Sequence, residues 1–111
     1  MIKNKIYGML GLAKRAGRAT SGTDAVITKI RCSEAYLVII SEDASEGTKK
    51  RISDKCKSYN TDYIFYGNCD EVGRAIGVNN CVAVAITDEG FAESLKHKYN
   101  NLTEVAENGS C

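Results

Sequence analysis

The residues able to do chemistry in this chain fall into four groups. The first is acidic. Glu42 and Asp43 follow the apolar run Tyr36-Leu37-Val38-Ile39-Ile40, and Asp88 follows a second apolar run over 81–86. Carboxylates at strand ends can bind Mg²⁺ or accept a phosphoryl group, and they can equally well cap turns and helices. A receiver-type phosphoacceptor would also need acids ending its first strand and a lysine after its last, and neither is present. The second group is nucleophilic: Cys32, Cys56, Cys69, Cys81 and Cys111, with His97 as the single imidazole. A catalytic thiol needs a base beside it, but His97 lies in the charged stretch HKY of the last helix, where exposure is the ordinary outcome. No G-x-S-x-G or P-loop pattern occurs. No C-x-x-C pair occurs either, so the spacing offers no zinc site. No metal and no cofactor are expected, and the thiols read as reduced, mostly small apolar fillers.

The third group is Gly22, Thr23 and Asp24, which open a helix and are flanked by Lys14, Arg15, Arg18 and Lys29. A helix N-terminus offers unpaired N–H groups and a positive dipole end, which together accept phosphate. Gly22 lets a nucleic-acid backbone come close, and the cations add long-range attraction. A plain capped helix would carry the same residues. The fourth group is the loop Val78, Asn79, Asn80, Cys81 and Val82, where turn formation alone accounts for the paired asparagines.

The elements that must position these groups alternate. Apolar residues at helical spacing predict a first helix over 3–16, stopped at Gly17, with Gly8 and Gly11 inside it as sites of close packing. A short extended link over 18–21 follows. Ser21 and Asp24 have the capping-box spacing for a second helix, which ends near Arg31 and buries Val26, Ile27 and Ile30. The run 36–40 reads as a strand buried on both faces and central to the sheet. Ser45 then caps a third helix over 46–59, whose Lys49, Lys50 and Arg51 point in different directions and read as solvated surface. A strand over 63–66, a short helix over 70–76 stopped by Gly77, and a strand over 81–86 come next. Thr87 or Asp88 caps a last helix in which Phe91, Leu95 and Tyr99 share a face. Residues 100–111 carry few core formers and read as a frayed tail. Residues 1–99 therefore form a single domain. The alternation predicts an α/β fold, a three-layer α/β/α sandwich around a small mixed sheet.

The bulk numbers agree with one ordinary globular domain of 111 residues, 43% hydrophobic and 26% charged. No apolar stretch approaches the roughly 20 residues of a membrane span, and MIKNKIYG contains no signal-peptide apolar region. A cytoplasmic protein is expected. The net charge of +1 conceals an asymmetry: residues 1–31 net +6, and the rest nets −5. Such polarity suggests an anionic partner at one end.

Five ordered blocks carry a family resemblance: YGMLGLAKRAG (7–17), SGTDAV (21–26), LVIISEDAS (37–45), GRAIG (73–77) and VAVAITDEGFA (82–92). Together they resemble the bacterial YlxQ family, a branch of the superfamily of ribosomal proteins L-seven-A-e and L-thirty-e that also includes Gadd-forty-five. The resemblance spans roughly residues 3–99. It implies an α/β/α sandwich without enzymatic activity that binds kink-turn RNA, usually in ribosomes or related particles. Members that bind such RNA carry Gly-x-Asn-Glu-x-x-Lys at the second helix. Here Gly22 matches, while Asp24, Ala25 and Thr28 stand at the Asn, Glu and Lys positions, and Lys29 is one residue late. The family's second contact is the loop before the last strand, residues 78–82.

The expected function is thus a non-enzymatic protein that recognises structured RNA, with ribosomal RNA and ribosomal proteins as partners and a monomeric state. The expected RNA-binding residues are the third and fourth groups, with Glu42 and Asp43 orienting the basic side chains. Two rivals are a protein-interaction module of the same fold and a phosphoacceptor or metal-binding domain built on Glu42, Asp43 and Asp88.

Overall fold

The structure is a computed structural model that describes residues 5–109, with side chains described through residue 101. Among the described residues, five helices and four short strands alternate: α1 (Lys5–Arg15), β1 (Ala19–Ser21), α2 (Thr23–Arg31), β2 (Leu37–Ile40), α3 (Glu46–Ser58), β3 (Asp62–Phe65), α4 (Cys69–Ile76), β4 (Ala83–Ile86) and α5 (Glu89–Gly109). The strands form one sheet in the order β1-β4-β2-β3. β2 and β3 are parallel, whereas β4 runs antiparallel to both β2 and β1. The sheet is mixed, as the sequence predicts.

The two central strands explain the layers. All four residues of β2 and all four of β4 are buried, and successive side chains in a strand point to opposite faces. Leu37, Ile39, Val84 and Ile86 join Ile6, Leu10, Val72, Ile76 and Leu95 under α1, α4 and α5. Val38, Ile40, Ala83 and Ala85 join Val26, Ile27, Ile30, Ile52 and Cys56 under α2 and α3. Burial of this kind also pushes the Cys56 thiol up to about 12, so it behaves as a core filler.

Several local expectations change. Ser21 is not the cap of α2. It pairs with Val84 as the last residue of β1, and the cap position falls to Gly22. Tyr36 lies outside β2 and is 47% exposed. Close packing explains Gly11, whose added Cβ would sit 3.0 Å from the Ala75 carbonyl oxygen, but at Gly8 a Cβ would meet nothing. The backbone of α5 continues to Gly109, into the segment read as a frayed tail. No proline or glycine interrupts that segment before Gly109. Residues 110–111 and the expected helix start at Lys3 lie outside the described residues. Among the described residues, no helix is long and apolar enough to cross a membrane.

Candidate nucleic-acid interface

The site assembles at one end of the sheet because of strand direction. β1 and β2 end there, and antiparallel β4 begins there, since Ser21 faces Val84 and Ile40 faces Ala83. Gly22 leaves β1 with φ 101° and ψ 140°. That conformation is open essentially to glycine alone. Its amide donates to the Ala83 carbonyl at 3.2 Å, which ties the start of α2 to the start of β4. No side chain caps α2, so its first turn keeps its N–H groups directed outward from an exposed glycine. Among the described residues, a Cβ on Gly22 would meet no atom within 4 Å beyond its chain neighbours, so they leave the space over this turn open.

The loop over 78–82 is held beside that turn by backbone contacts. Ser41 is fully buried. Its amide donates to the Val82 carbonyl at 2.9 Å, and its hydroxyl donates to the Cys81 carbonyl at 2.7 Å. The Cys81 amide donates to the Cys69 carbonyl at 3.0 Å. Gly73 makes the seat: a Cβ there would lie 2.7 Å from the Val78 carbonyl oxygen and 3.0 Å from the Asn80 nitrogen. Val78, Asn79 and Asn80 are exposed at the tip, Val82 is partly covered, and Cys81 is buried. The Cys81 thiol donates to the Ala83 carbonyl at 3.2 Å. Burial pushes its pKa up, so it anchors the loop rather than meeting a ligand.

The acids mostly cap. One Asp43 oxygen accepts from the Cys69 amide at 2.9 Å, at the start of α4. Hydrogen bonds from the Cys69 thiol and then its amide hold the Asp43 carboxyl below its ordinary value. Asn68 is the cap of α4 and accepts from the Glu71 amide at 2.8 Å. Asp88 accepts from the Phe91 amide at 2.9 Å, which makes it the cap of α5. The Glu42 side chain is exposed, while its amide donates to the Gly67 carbonyl at 2.7 Å. Asp88 and the Glu42–Asp43 pair cannot form one site. Asp88 follows the end of β4, and β4 runs opposite to β2, so the two lie at opposite ends of the sheet, roughly 13 Å of strand apart.

The four flanking cations separate in the same way. Lys14 shares the α1 face of Tyr7 and Gly11 by helical spacing. Gly11 packs on α4, and the Lys14 charge slightly offsets the upward push of burial on the Cys81 thiol. It therefore flanks the 78–82 loop. Arg15 is exposed. Arg18 and Lys29 are at the other end: the Arg18 carbonyl accepts from Thr87, past the end of β4, and Lys29 pairs with Glu34 at 2.8 Å in the last turn of α2. The cation that does reach the α2 turn is Arg51 of α3, with Nη2 3.4 Å from an Asp24 oxygen. Both partners are exposed, so the pair itself contributes little, but it places a guanidinium beside the open helix end. From the sequence Arg51 reads as solvated surface, and the usable signal for its place was the Ser45 cap, which starts α3 at this same end. The same reading passed over Gly73, which lies five residues before the loop it seats.

A match to the model of the ribosomal protein L7Ae/L30e/S12e/Gadd45 family covers residues 4–96. The chain belongs to that family. Curated relatives include the RNA-binding protein YlxQ of Bacillus subtilis strain 168, 45% identical over 89 residues that cover 80% of this chain and 89% of the relative. The RNA-binding protein YlxQ of Enterococcus faecium is 35% identical and covers 85% and 90%. Among solved structures, a protein with unknown function from Bacillus halodurans C superimposes with a TM-score of 0.81 at 38% identity, covering 84% of this chain and 94% of that one. The Giardia lamblia 15.5kD RNA binding protein shares the family fold with a TM-score of 0.74 at 18% identity, covering 87% and 86%.

Proposed function

We propose that this protein binds structured RNA at the sheet end formed by Gly22, Thr23, Asp24 and the 78–82 loop, with kink-turn RNA as the substrate class and ribosomal RNA as the natural setting. The observation that carries the reading is the uncapped first turn of α2, opened by Gly22 at φ 101° and seated beside an exposed loop tip. The Thr23 and Asp24 amides receive a phosphate there. The Asp24 carboxylate accepts from a base edge, and the guanidinium of Arg51 is within reach of both. Kinked RNA suits this arrangement because it splays bases and phosphates that a regular duplex keeps stacked. Val78 and the two asparagines meet the unstacked bases. The relatives named as RNA-binding proteins support the reading at the level of RNA. The binding unit is a monomer without catalytic function, and neighbouring ribosomal proteins are the natural protein contacts.

The test is a titration of the purified protein with a kink-turn RNA and a plain duplex of equal length, each at two salt concentrations. Tighter binding of the kink-turn RNA at both salts is expected. Equal affinity for the two RNAs at both salts would overturn the kink-turn assignment.

A further inference from the structure

The second basic region lies at the opposite end of the sheet, and the RNA site described above does not use it. Arg18, Lys29, Glu34, Tyr36 and Thr87, with Gly17 and Ser33, line an open hollow of about 390 Å³. Two turns shape it. Gly17 has φ 74° and Ser33 has φ 58°, a left-handed conformation uncommon for a residue other than glycine. Tyr36 is 47% exposed although it directly precedes β2, a strand buried along its whole length. Its amide is taken by the Ile86 carbonyl at 2.8 Å, so the backbone there is fixed and the ring stands outside the core. Arg18 is exposed, and Lys29 is held by Glu34 at 2.8 Å.

Exposed rings and cations around a shallow depression are the components of a site for unpaired nucleotides. Bases stack on the aromatic side chain, and cations follow the phosphates. The spacing suits one strand reaching both ends. The Gly22 amide bonds Ala83 at one end of β4, and Thr87 bonds Arg18 at the other, which separates the two sites by about 13 Å along the sheet. We infer that the hollow of Arg18, Lys29 and Tyr36 is a second RNA contact that takes single-stranded nucleotides flanking the structured element bound at Gly22. Tyr36 stacks a base, Arg18 and Lys29 neutralise phosphates, and Glu34 holds Lys29 in place while repelling the same phosphates. The inference rests on the RNA-binding reading of the Gly22 end.

The experiment compares a kink-turn RNA with and without a single-stranded oligouridine flank of about eight nucleotides, against wild type, Tyr36→Ala, Arg18→Gln and Glu34→Gln. The expected result is that the flank tightens wild-type binding. Tyr36→Ala should remove about tenfold of affinity for the flanked RNA and leave the flankless RNA unchanged. Arg18→Gln should act in the same direction with a shallower salt dependence, and Glu34→Gln should tighten flanked binding. If wild type binds both RNAs equally well, the second contact is overturned and the Gly22 site stands. If wild type binds neither RNA, both are overturned.

Discussion

At the residue scale, the proposed RNA site turns on a backbone angle. Gly22 holds φ 101° at the entry of α2, and a side chain there costs about 1–3 kcal/mol in strain. Gly22→Ala should therefore lower the unfolding midpoint in a denaturant titration and weaken RNA binding at the same time. Thr23→Glu separates the two effects. An acid in the first turn favours the helix dipole by a few tenths to about 1 kcal/mol, so stability should hold or rise. RNA affinity should fall, because a carboxylate then occupies the phosphate position. An unchanged affinity in Thr23→Glu would count against the phosphate site. Asp43 gives a pH test. Its carboxyl is held below the ordinary value of 3.8 by the Cys69 thiol and amide. A depressed carboxylate contributes stability that is present above the unfolded pKa and lost as pH falls through the folded one. Asp43→Asn should flatten the acid limb of the stability profile below about pH 4 and leave its shape at neutral pH unaltered.

At the element scale, the hydrophobic pattern predicted nearly every helix and strand, because each one buries apolar residues at its own period. Capping chemistry marked α3 through Ser45 and α5 through Asp88. The α2 start was misread because Ser21 satisfies the local capping pattern, while tertiary pairing with Val84 commits it to β1. Seating of the loop was also illegible, since it depends on Gly73 of α4 meeting backbone five to seven residues later. Gly73→Ala should shift the loop and cost about 1–3 kcal/mol, read as a lower melting temperature together with weaker RNA binding. Asn68→Ala removes the α4 cap and should cost about 1 kcal/mol. Because α4 carries the seat of the loop, some of that loss should appear in RNA affinity.

At the scale of the whole molecule, strand direction decides which residues meet. The sequence showed the basic first third of the chain but not its division between two ends of the sheet. Antiparallel β4 does that: it brings Gly22, Ser41 and the 78–82 loop together, sends Asp88 and Arg18 to the other end, and so dismantles the acidic triad of Glu42, Asp43 and Asp88 as a single site. With Lys14 beside the 78–82 loop and Arg51 beside the first turn of α2, about two phosphates are neutralised. Log affinity for a flankless RNA should then fall with log salt at a slope of about −1 to −2. Arg51→Gln should reduce that slope by about one, whereas Arg18→Gln should leave it unchanged on the flankless RNA. Where the RNA sits is read most directly from backbone amide chemical shifts on addition of kink-turn RNA. The largest perturbations are expected at Gly22, Thr23, Asp24 and residues 78–82. Perturbations confined to other surfaces, with the first turn of α2 and the loop unmoved, would contradict that placement.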